Sequence, residues 1–247
     1  MEGPTPVSAL IHAATMVTSG IFLLVRCSAL FEAAPATLLF ITLIGASTAF
    51  MAATAGLVQN DLKKIIAYST CSQLGYMAFA CGLSHYALSL FHLSNHAFFK
   101  ALLFLSAGAV IHSVSSEQDL RRLGGLLRLL PYTYAMFLIG SLALMGFPFL
   151  TGFYSKDLIL ETAAGTDRLL TLAIYLLPVV TAFFTAFYSF RLLDLAFFSR
   201  SRSPRTYLVH THELTPKMAV ALAVLSLGSI FFGYFARDLF VGLGSSF

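Results

Sequence analysis

Three titratable side chains follow one another at helical spacing in a strongly apolar part of the chain. His92, His96 and Lys100 stand at positions i, i+4 and i+8, so in a helix they form one stripe on one face. At 1.5 Å per residue the stripe climbs ~12 Å. Histidine titrates near neutral pH, and a lysine withdrawn from water becomes able to exchange its proton. The pattern predicts a proton relay, and the alternative is a structural polar seam between helices.

A second segment combines helix-breaking residues with charges. Gly146, Pro148 and Gly152 interrupt an apolar run that leads to Lys156 and Asp157. Proline removes a backbone donor and glycine loosens a helix, so the run predicts a broken helix, an architecture that transporters use for ion sites. Lys156 and Asp157 then occupy the first turn of the second half-helix. They either belong to such a site or simply mark the end of a membrane span.

Other charged or titratable residues in apolar surroundings give weaker signals. His12 stands alone within an apolar run, and Asp61 lies at a predicted helix entrance. Arg191 and Asp194 are three residues apart near the end of a run, which predicts an interfacial ion pair. Nucleotide-binding and iron–sulfur motifs are missing, and His92 and His96 lack a third zinc ligand nearby. The sequence therefore predicts no cofactor and no metal in this chain.

The composition indicates whether these residues lie in a soluble protein or in a membrane. Of 247 residues, 58% are hydrophobic and only 11% are charged, with a mean hydropathy of +0.83. A soluble domain carries about 25% charged residues, so a soluble enzyme is excluded. A net charge of +4 is too small for a nucleic-acid surface. The chain is predicted to be an integral membrane protein in contact with lipids.

Stretches free of Asp, Glu, Lys and Arg mark the spans. The run Ile65–Phe99 is too long for one crossing of a ~30 Å hydrocarbon core, so it is expected to turn back at Cys81–His85. In lipid, backbone groups must be satisfied within each segment, which predicts an all-α bundle with one discontinuous helix. The seven predicted transmembrane helices cover residues 3–25, 33–60, 62–82, 86–113, 131–163, 169–198 and 216–241.

The loops between these spans differ in basic residues. One side receives nine Lys and Arg residues and the other receives three, so the positive-inside rule places the N-terminus and the loop 200–217 on the positive side. The nine are Lys63, Lys64, Arg121, Arg122, Arg128, Arg200, Arg202, Arg205 and Lys217.

Six strings of the chain are specific enough to indicate a family. Two of them read MEGPTPVSALIHAATM and PFLTGFYSKD, and the full set covers 1–16, 59–64, 68–76, 96–101, 117–121 and 148–157. With these strings the chain resembles the subunit 5 family of mitochondrial NADH dehydrogenase (NADH:ubiquinone oxidoreductase, respiratory complex I). The likeness extends over nearly the whole chain and weakens after Thr162 and in the 200–217 loop.

This resemblance implies a proton-translocating subunit of the membrane arm with an antiporter-like five-helix repeat. It implies a multi-pass protein of the mitochondrial inner membrane whose N-terminus faces the matrix and whose partners are other membrane-arm subunits. NADH, FMN, iron–sulfur clusters and ubiquinone are expected in other subunits, so this chain would be a non-redox subunit of the enzyme. By position, the resemblance assigns these residues to the proton path or to acidic positions beside it: Lys100, Lys156, His92, His96, His12, Asp157 and Asp61.

The family also implies the domain organisation. Residues 1–26 correspond to the last helix of a first repeat, 33–199 to the second five-helix repeat, 200–217 to a matrix loop and 216–247 to an additional transmembrane helix. In the family, the strings shared with Met1–Met16 lie in the interior of a longer subunit. The subunit is therefore expected either to be encoded in pieces or to be only partly present. A separate polypeptide carrying the missing first half is predicted to bind the first span.

Two other functions remain open on the sequence alone. A subunit of a cation/proton antiporter complex or of a membrane-bound hydrogenase would use similar buried groups. A non-transporting membrane scaffold would use the polar stripe only for packing. Sodium- or proton-dependent flux separates an antiporter from a pump, and neutral substitutions in the stripe that leave flux intact favour the scaffold.

Overall fold

The structure, a computed structural model, describes residues 3–165, 169–202, 211 and 213–242. Helices dominate these residues, and an isolated bridge between Asp61 and Asp119 is the one β-type pairing found among them. The helices are α1 (Thr5–Arg26), α2 (Ser28–Glu32), α3 (Pro35–Val58), α4 (Leu62–Gly82), α5 (Tyr86–Ser113), α6 (Pro131–Met145), α7 (Thr151–Ala164), α8 (Leu169–Leu193, continued by the π-helical Asp194–Phe198) and α9 (Pro216–Val241).

The all-α membrane architecture predicted from the sequence is confirmed. Five of the described helices, α1, α3, α5, α8 and α9, are long and apolar enough to cross a membrane, and α6 is a shorter apolar helix. The predicted turn between the third and fourth spans is confirmed as well, because α4 ends at Gly82 and α5 begins at Tyr86. The chain is a multi-pass membrane protein.

Helix α5 lies at the centre of the bundle. It packs against α1, α4, α6, α7 and α9, and most of its residues are buried on all sides. The outer helices α3, α8 and α9 instead expose many large apolar side chains, among them Phe40, Phe183 and Phe235. Large apolar side chains on the outside of the bundle suit a lipid environment, where the protein perimeter is apolar and polar side chains lie inside.

The predicted break in the fifth span is confirmed. Helix α6 stops at Met145, and Gly146 adopts a left-handed conformation with φ of 89°. The amide of Phe147 donates to the carbonyl oxygen of Leu142 at 3.0 Å, which closes the end of α6 in the manner of a Schellman cap. Helix α7 begins at Thr151. Lys156 and Asp157 are therefore in the second turn of α7, and their predicted place in the first turn is wrong.

Two neighbouring helices hold Thr151, and so fix where α7 begins. The Thr151 hydroxyl donates to the carbonyl oxygen of Ser229 in α9 at 2.7 Å. Its own carbonyl oxygen accepts from the Asn95 amide of α5 at 3.2 Å. These two contacts tie the first residue of α7 to α9 and to α5.

The predicted ion pair between Arg191 and Asp194 is wrong. The Arg191 guanidinium donates to the carbonyl oxygens of Leu57 and Gln59 and, at 2.8 Å, to the side-chain oxygen of Asn60. The last carbonyls of a helix have no partner within the helix, and Arg191 supplies them with charged donors at the end of α3. Asp194 is exposed and forms no ion pair with Arg191 among the described residues.

Candidate functional site

Lys100 is completely buried in the middle of α5, with 0% of its surface exposed. Its ammonium nitrogen donates to the hydroxyl of Ser69 on α4, and that hydroxyl in turn donates to the carbonyl oxygen of Ile66 at 2.7 Å. Ser69 therefore presents a lone pair to the lysine. The described residues place no carboxylate oxygen within 4.0 Å of Lys100, since their two ion pairs are both in the loop after α5.

Lys156 repeats this arrangement on α7. It is 1% exposed, and its Nζ donates to the Thr185 hydroxyl of α8 at 2.8 Å. Thr185 donates its own hydrogen to the carbonyl oxygen of Ala182 at 2.7 Å. The Lys156 Nζ also lies 5.4 Å from the ring centroid of Tyr76, a distance at which an aromatic face attracts a cation. Both lysines thus face a hydroxyl acceptor.

His92 connects the central helix with the broken one. It is buried, and its Nδ1 lies 2.9 Å from the hydroxyl oxygen of Ser155, the residue before Lys156. Its Nε2 lies 3.0 Å from Oε1 of Gln73 on α4. Both ring nitrogens are therefore hydrogen-bonded, one to α7 and the other to α4. This places His92 on the side of the site that leads to Lys156.

His96 occupies the position between His92 and Lys100. Its ring is fully buried, with the centroid 6.4 Å from that of His92 and 5.4 Å from that of Phe99. Neither ring nitrogen has a hydrogen-bond partner among the residues that the structure describes. Buried polar atoms are nearly always satisfied in proteins, so such an exception calls for an explanation. The structure brings His92, His96, Lys100 and Lys156 together, and this set is called the lysine–histidine file below.

Asp157 lies at the edge of the file and not inside it. Its side chain is half-buried, beside a cavity of about 120 Å³ that Glu161 and Arg237 also line. The carboxylate also borders the helix break, because its Oδ1 and the Lys156 Cδ lie 3.6 and 3.9 Å from the position that a Cβ on Gly146 would take.

Two predicted site residues are not brought to the file. His12 is exposed on α1, where a further helix would be needed to cover it. Asp61 is the N-cap of α4 and accepts from the backbone amides of Lys63 and Lys64 at 2.9 and 3.4 Å. Asparagine and aspartate are the usual residues for that task. In this chain Asp61 acts on helix structure, and His12 faces outward.

The sequence interpretation missed the neutral partners of the file. Ser69, Gln73, Ser155 and Thr185 are all buried, and each hydrogen-bonds to a file residue. Hydroxyl groups are common in membrane helices because they bond to their own helix backbone, so they carry little signal. Gln73 does give a sequence signal, since an amide within an apolar span needs a polar partner.

The chemistry open to this arrangement is proton transfer. The described residues contain no group of three His, Cys, Asp or Glu side chains that could hold a metal ion. The file contains two amines and two imidazoles, all buried in the interior of the bundle. Each of these groups can take up and release a proton, and each has a neighbour in the file.

Comparison with known proteins shows which family this chain resembles. Residues 1–193 match the family described as NADH:quinone oxidoreductase/Mrp antiporter, transmembrane. NADH-ubiquinone oxidoreductase chain 5 of Phytophthora infestans is 63% identical over 100% of this chain, and that of Marchantia polymorpha is 61% identical. In the solved Mrp complex from a Dietzia species, a chain superposes with a TM-score of 0.80 and 30% identity over 96% of this chain.

The matches differ in length from this chain. It spans 37% of each of the two chain 5 relatives and 26% of the Mrp complex chain. The family match nonetheless covers most of the present sequence, including all four residues of the file. This chain therefore belongs to the NADH:quinone oxidoreductase/Mrp antiporter transmembrane family.

Proposed function

We propose that this chain is a proton-conducting, non-redox part of the membrane arm of a NADH:ubiquinone oxidoreductase in the mitochondrial inner membrane. One observation carries the proposal. Lys100 and Lys156 are buried inside a membrane bundle without a carboxylate within 4.0 Å among the described residues. A lysine at the bilayer centre costs about 2.5–3.5 kcal/mol on insertion scales, and such residues mark ion pathways.

The hydroxyl partners suit a site that changes its proton count. Ser69 and Thr185 donate their hydrogens to backbone carbonyls and offer only a lone pair to the lysines. A neutral amine still has N–H groups to donate, so this hydrogen bond persists whether the lysine is charged or neutral. A buried carboxylate would instead favour the charged lysine strongly. The site therefore tolerates both protonation states, as a relay requires.

The proposal assigns the residues of the file and their neighbours to the path. Lys100, His96, His92 and Lys156 form its buried core, with Asp157 beside Lys156 at its edge. His12 and Asp61 join the path only through helices that cover α1 and the entrance of α4. The relatives called chain 5 are nearly three times as long as this chain, which leaves room for such helices in the same or a separate polypeptide.

The redox chemistry and the cofactors NADH, FMN, iron–sulfur clusters and ubiquinone belong to other subunits in this proposal. In the membrane the basic loops face the matrix, so the N-terminus and the 200–217 loop lie on the matrix side. Residues 1–26 then complete a first repeat, 33–199 form the second five-helix repeat and 216–247 an additional span.

Substitution of Lys156 tests the function. The variant Lys156→Gln, made in the full-length subunit of the assembled complex, removes an exchangeable proton while keeping a polar side chain of similar size. We expect proton pumping per NADH oxidised to fall, with assembly retained on native gels. Lys64→Gln is the matched control, because Lys64 is exposed at the entrance of α4 and outside the file. Equal pumping by both variants would contradict the proposal.

The likeness to the Mrp complex chain supports a second candidate, cation/proton antiport. The same file would then exchange protons for sodium. Reconstituted vesicles separate the two candidates, because antiport requires sodium for proton movement whereas a redox-driven pump moves protons in sodium-free buffer. A scaffold without transport would show neither activity and would tolerate Lys156→Gln in every ion-flux assay.

A further inference from the structure

We propose that Gln73 is a positioning residue whose side-chain amide holds the His92 ring in place in either of its two tautomers. This inference rests on the proposed proton transfer through His92 and deepens it. Gln73 is fully buried on α4 and is one of the two side chains that hold the His92 ring. It has no charge and does not itself exchange protons, so its contribution acts through His92.

The two hydrogen bonds of His92 restrict its ring. Nδ1 lies 2.9 Å from the Ser155 hydroxyl and Nε2 lies 3.0 Å from Oε1 of Gln73. A carboxamide oxygen only accepts, so the proton of a neutral imidazole is on Nε2 when this oxygen faces it. Nδ1 then accepts from the Ser155 hydroxyl, which is free to donate or to accept. The orientation of the Gln73 amide is therefore linked to the tautomer of His92.

The opposite amide orientation fits the other tautomer equally well. Rotating the Gln73 amide by half a turn would aim its Nε2 at His92, which must then accept at its own Nε2 and carry its proton on Nδ1. In the present orientation the Gln73 Nε2 is buried and has no hydrogen-bond partner among the described residues. No neighbouring group in that part of the chain therefore locks the amide in one orientation, and the amide can follow His92 from one tautomer to the other.

This freedom matters for passing a proton through an imidazole. His92 takes up a proton at one nitrogen and releases the other nitrogen's proton, so its tautomer is inverted after each passage and the proton count is unchanged. A fixed acceptor such as a backbone carbonyl would satisfy only one tautomer. The Gln73 amide satisfies both, and the ring keeps its place beside Ser155 and Lys156 throughout.

The test uses Gln73→Met in the full-length subunit of the assembled complex. Methionine has a similar length and no strong hydrogen-bonding group, so it removes the bond to His92 with little change in packing. We expect the rate of proton pumping to fall about two- to tenfold, the equivalent of one buried hydrogen bond. Ser72→Ala is the control, since Ser72 is a buried neighbour that bonds to the Ala49 carbonyl at 3.0 Å and not to His92. Its pumping should be unchanged.

Combination with His92→Leu separates positioning from structural support. If Gln73 acts through His92, the double variant pumps as slowly as His92→Leu alone. Multiplying losses would show that Gln73 supports the fold by another route and would overturn the inference. Normal pumping by His92→Leu would overturn the proposed relay itself, whereas slow His92→Leu with normal Gln73→Met would overturn this inference only.

A second variant covers the case in which Gln73→Met does not assemble. Ser155→Ala removes the other hydrogen bond of His92 without adding volume. We expect the same loss of pumping and the same absence of a further loss in the His92→Leu background. Full pumping by an assembled Ser155→Ala complex would overturn the inference that the two hydrogen bonds of His92 hold its ring in the position that proton transfer needs.

Discussion

The helix break positions Lys156, and two glycine substitutions in it should have unequal effects. A Cβ atom added at Gly152 would overlap the backbone carbonyl oxygen of Ala143 at the end of α6. Since backbone cannot rotate away as a side chain can, we expect a cost near the upper end of overpacking, about 3 kcal/mol. At Gly146 the nearest atoms would be 3.6 and 3.9 Å away. Alanine at this position is destabilised only by the left-handed backbone conformation, which costs about 1–2 kcal/mol.

The assay is thermal dissociation of this subunit from the purified complex, followed on native gels. At about 2–4 °C per kcal/mol for a chain of this size, Gly152→Ala should lower the midpoint by roughly 6–12 °C and Gly146→Ala by less. Gly20→Ala is the control, because its Cβ would meet nothing within 4 Å and alanine favours a helix by about 1 kcal/mol. If Gly152→Ala behaves like Gly20→Ala, the tight contact between α6 and α7 does not exist.

Three further predictions concern two helix ends and one loop. Arg191→Leu should lower the thermal midpoint by an amount equivalent to about 3 kcal/mol, because the end of α3 loses charged donors. The midpoint of Arg191→Lys should lie between that of this variant and that of the natural chain. An unchanged midpoint for Arg191→Leu would contradict the capping role. Burial lowers the pKa of His85, so below about pH 6.5 the unfolded chain binds a proton more readily than the folded chain, and stability should fall as the pH drops. His85→Gln should remove this part of the pH dependence in thermal melts, and a profile identical to that of the natural chain would refute the prediction. A protease added to sealed vesicles with the matrix side inward should leave the 200–217 loop intact, whereas cleavage there would reverse the proposed orientation.

The sequence predicted the spans and the break because both depend on strong, local energies. A charge or an unpaired backbone group in lipid costs several kcal/mol, so runs without charges mark the helices reliably. Gly146 and Pro148 disrupt a helix wherever they occur, so the end of α6 was readable as well. The i, i+4, i+8 spacing placed His92, His96 and Lys100 on one face for the same local reason.

Contacts between helices were not readable in this way. The partners of the file, such as Gln73 and Thr185, are neutral and bond across 19 and 29 residues of sequence. Arg191 was assigned to the nearby Asp194 because helical spacing allows that pair, but it bonds residues more than 130 positions away. Several carbonyl acceptors at a partly buried helix end suit a guanidinium fork better than one exposed carboxylate does.

The central claim is that Lys100 acts by exchanging a proton and not merely by carrying a positive charge. The most direct test is proton pumping per NADH oxidised by a reconstituted complex that contains Lys100→Arg, with assembly checked on native gels. Arginine keeps the charge, but with a pKa above ~12 it does not release its proton on the timescale of turnover. We expect the assembled variant to lose much of its pumping and its coupled NADH oxidation to slow. Full pumping by the arginine variant would contradict the claim.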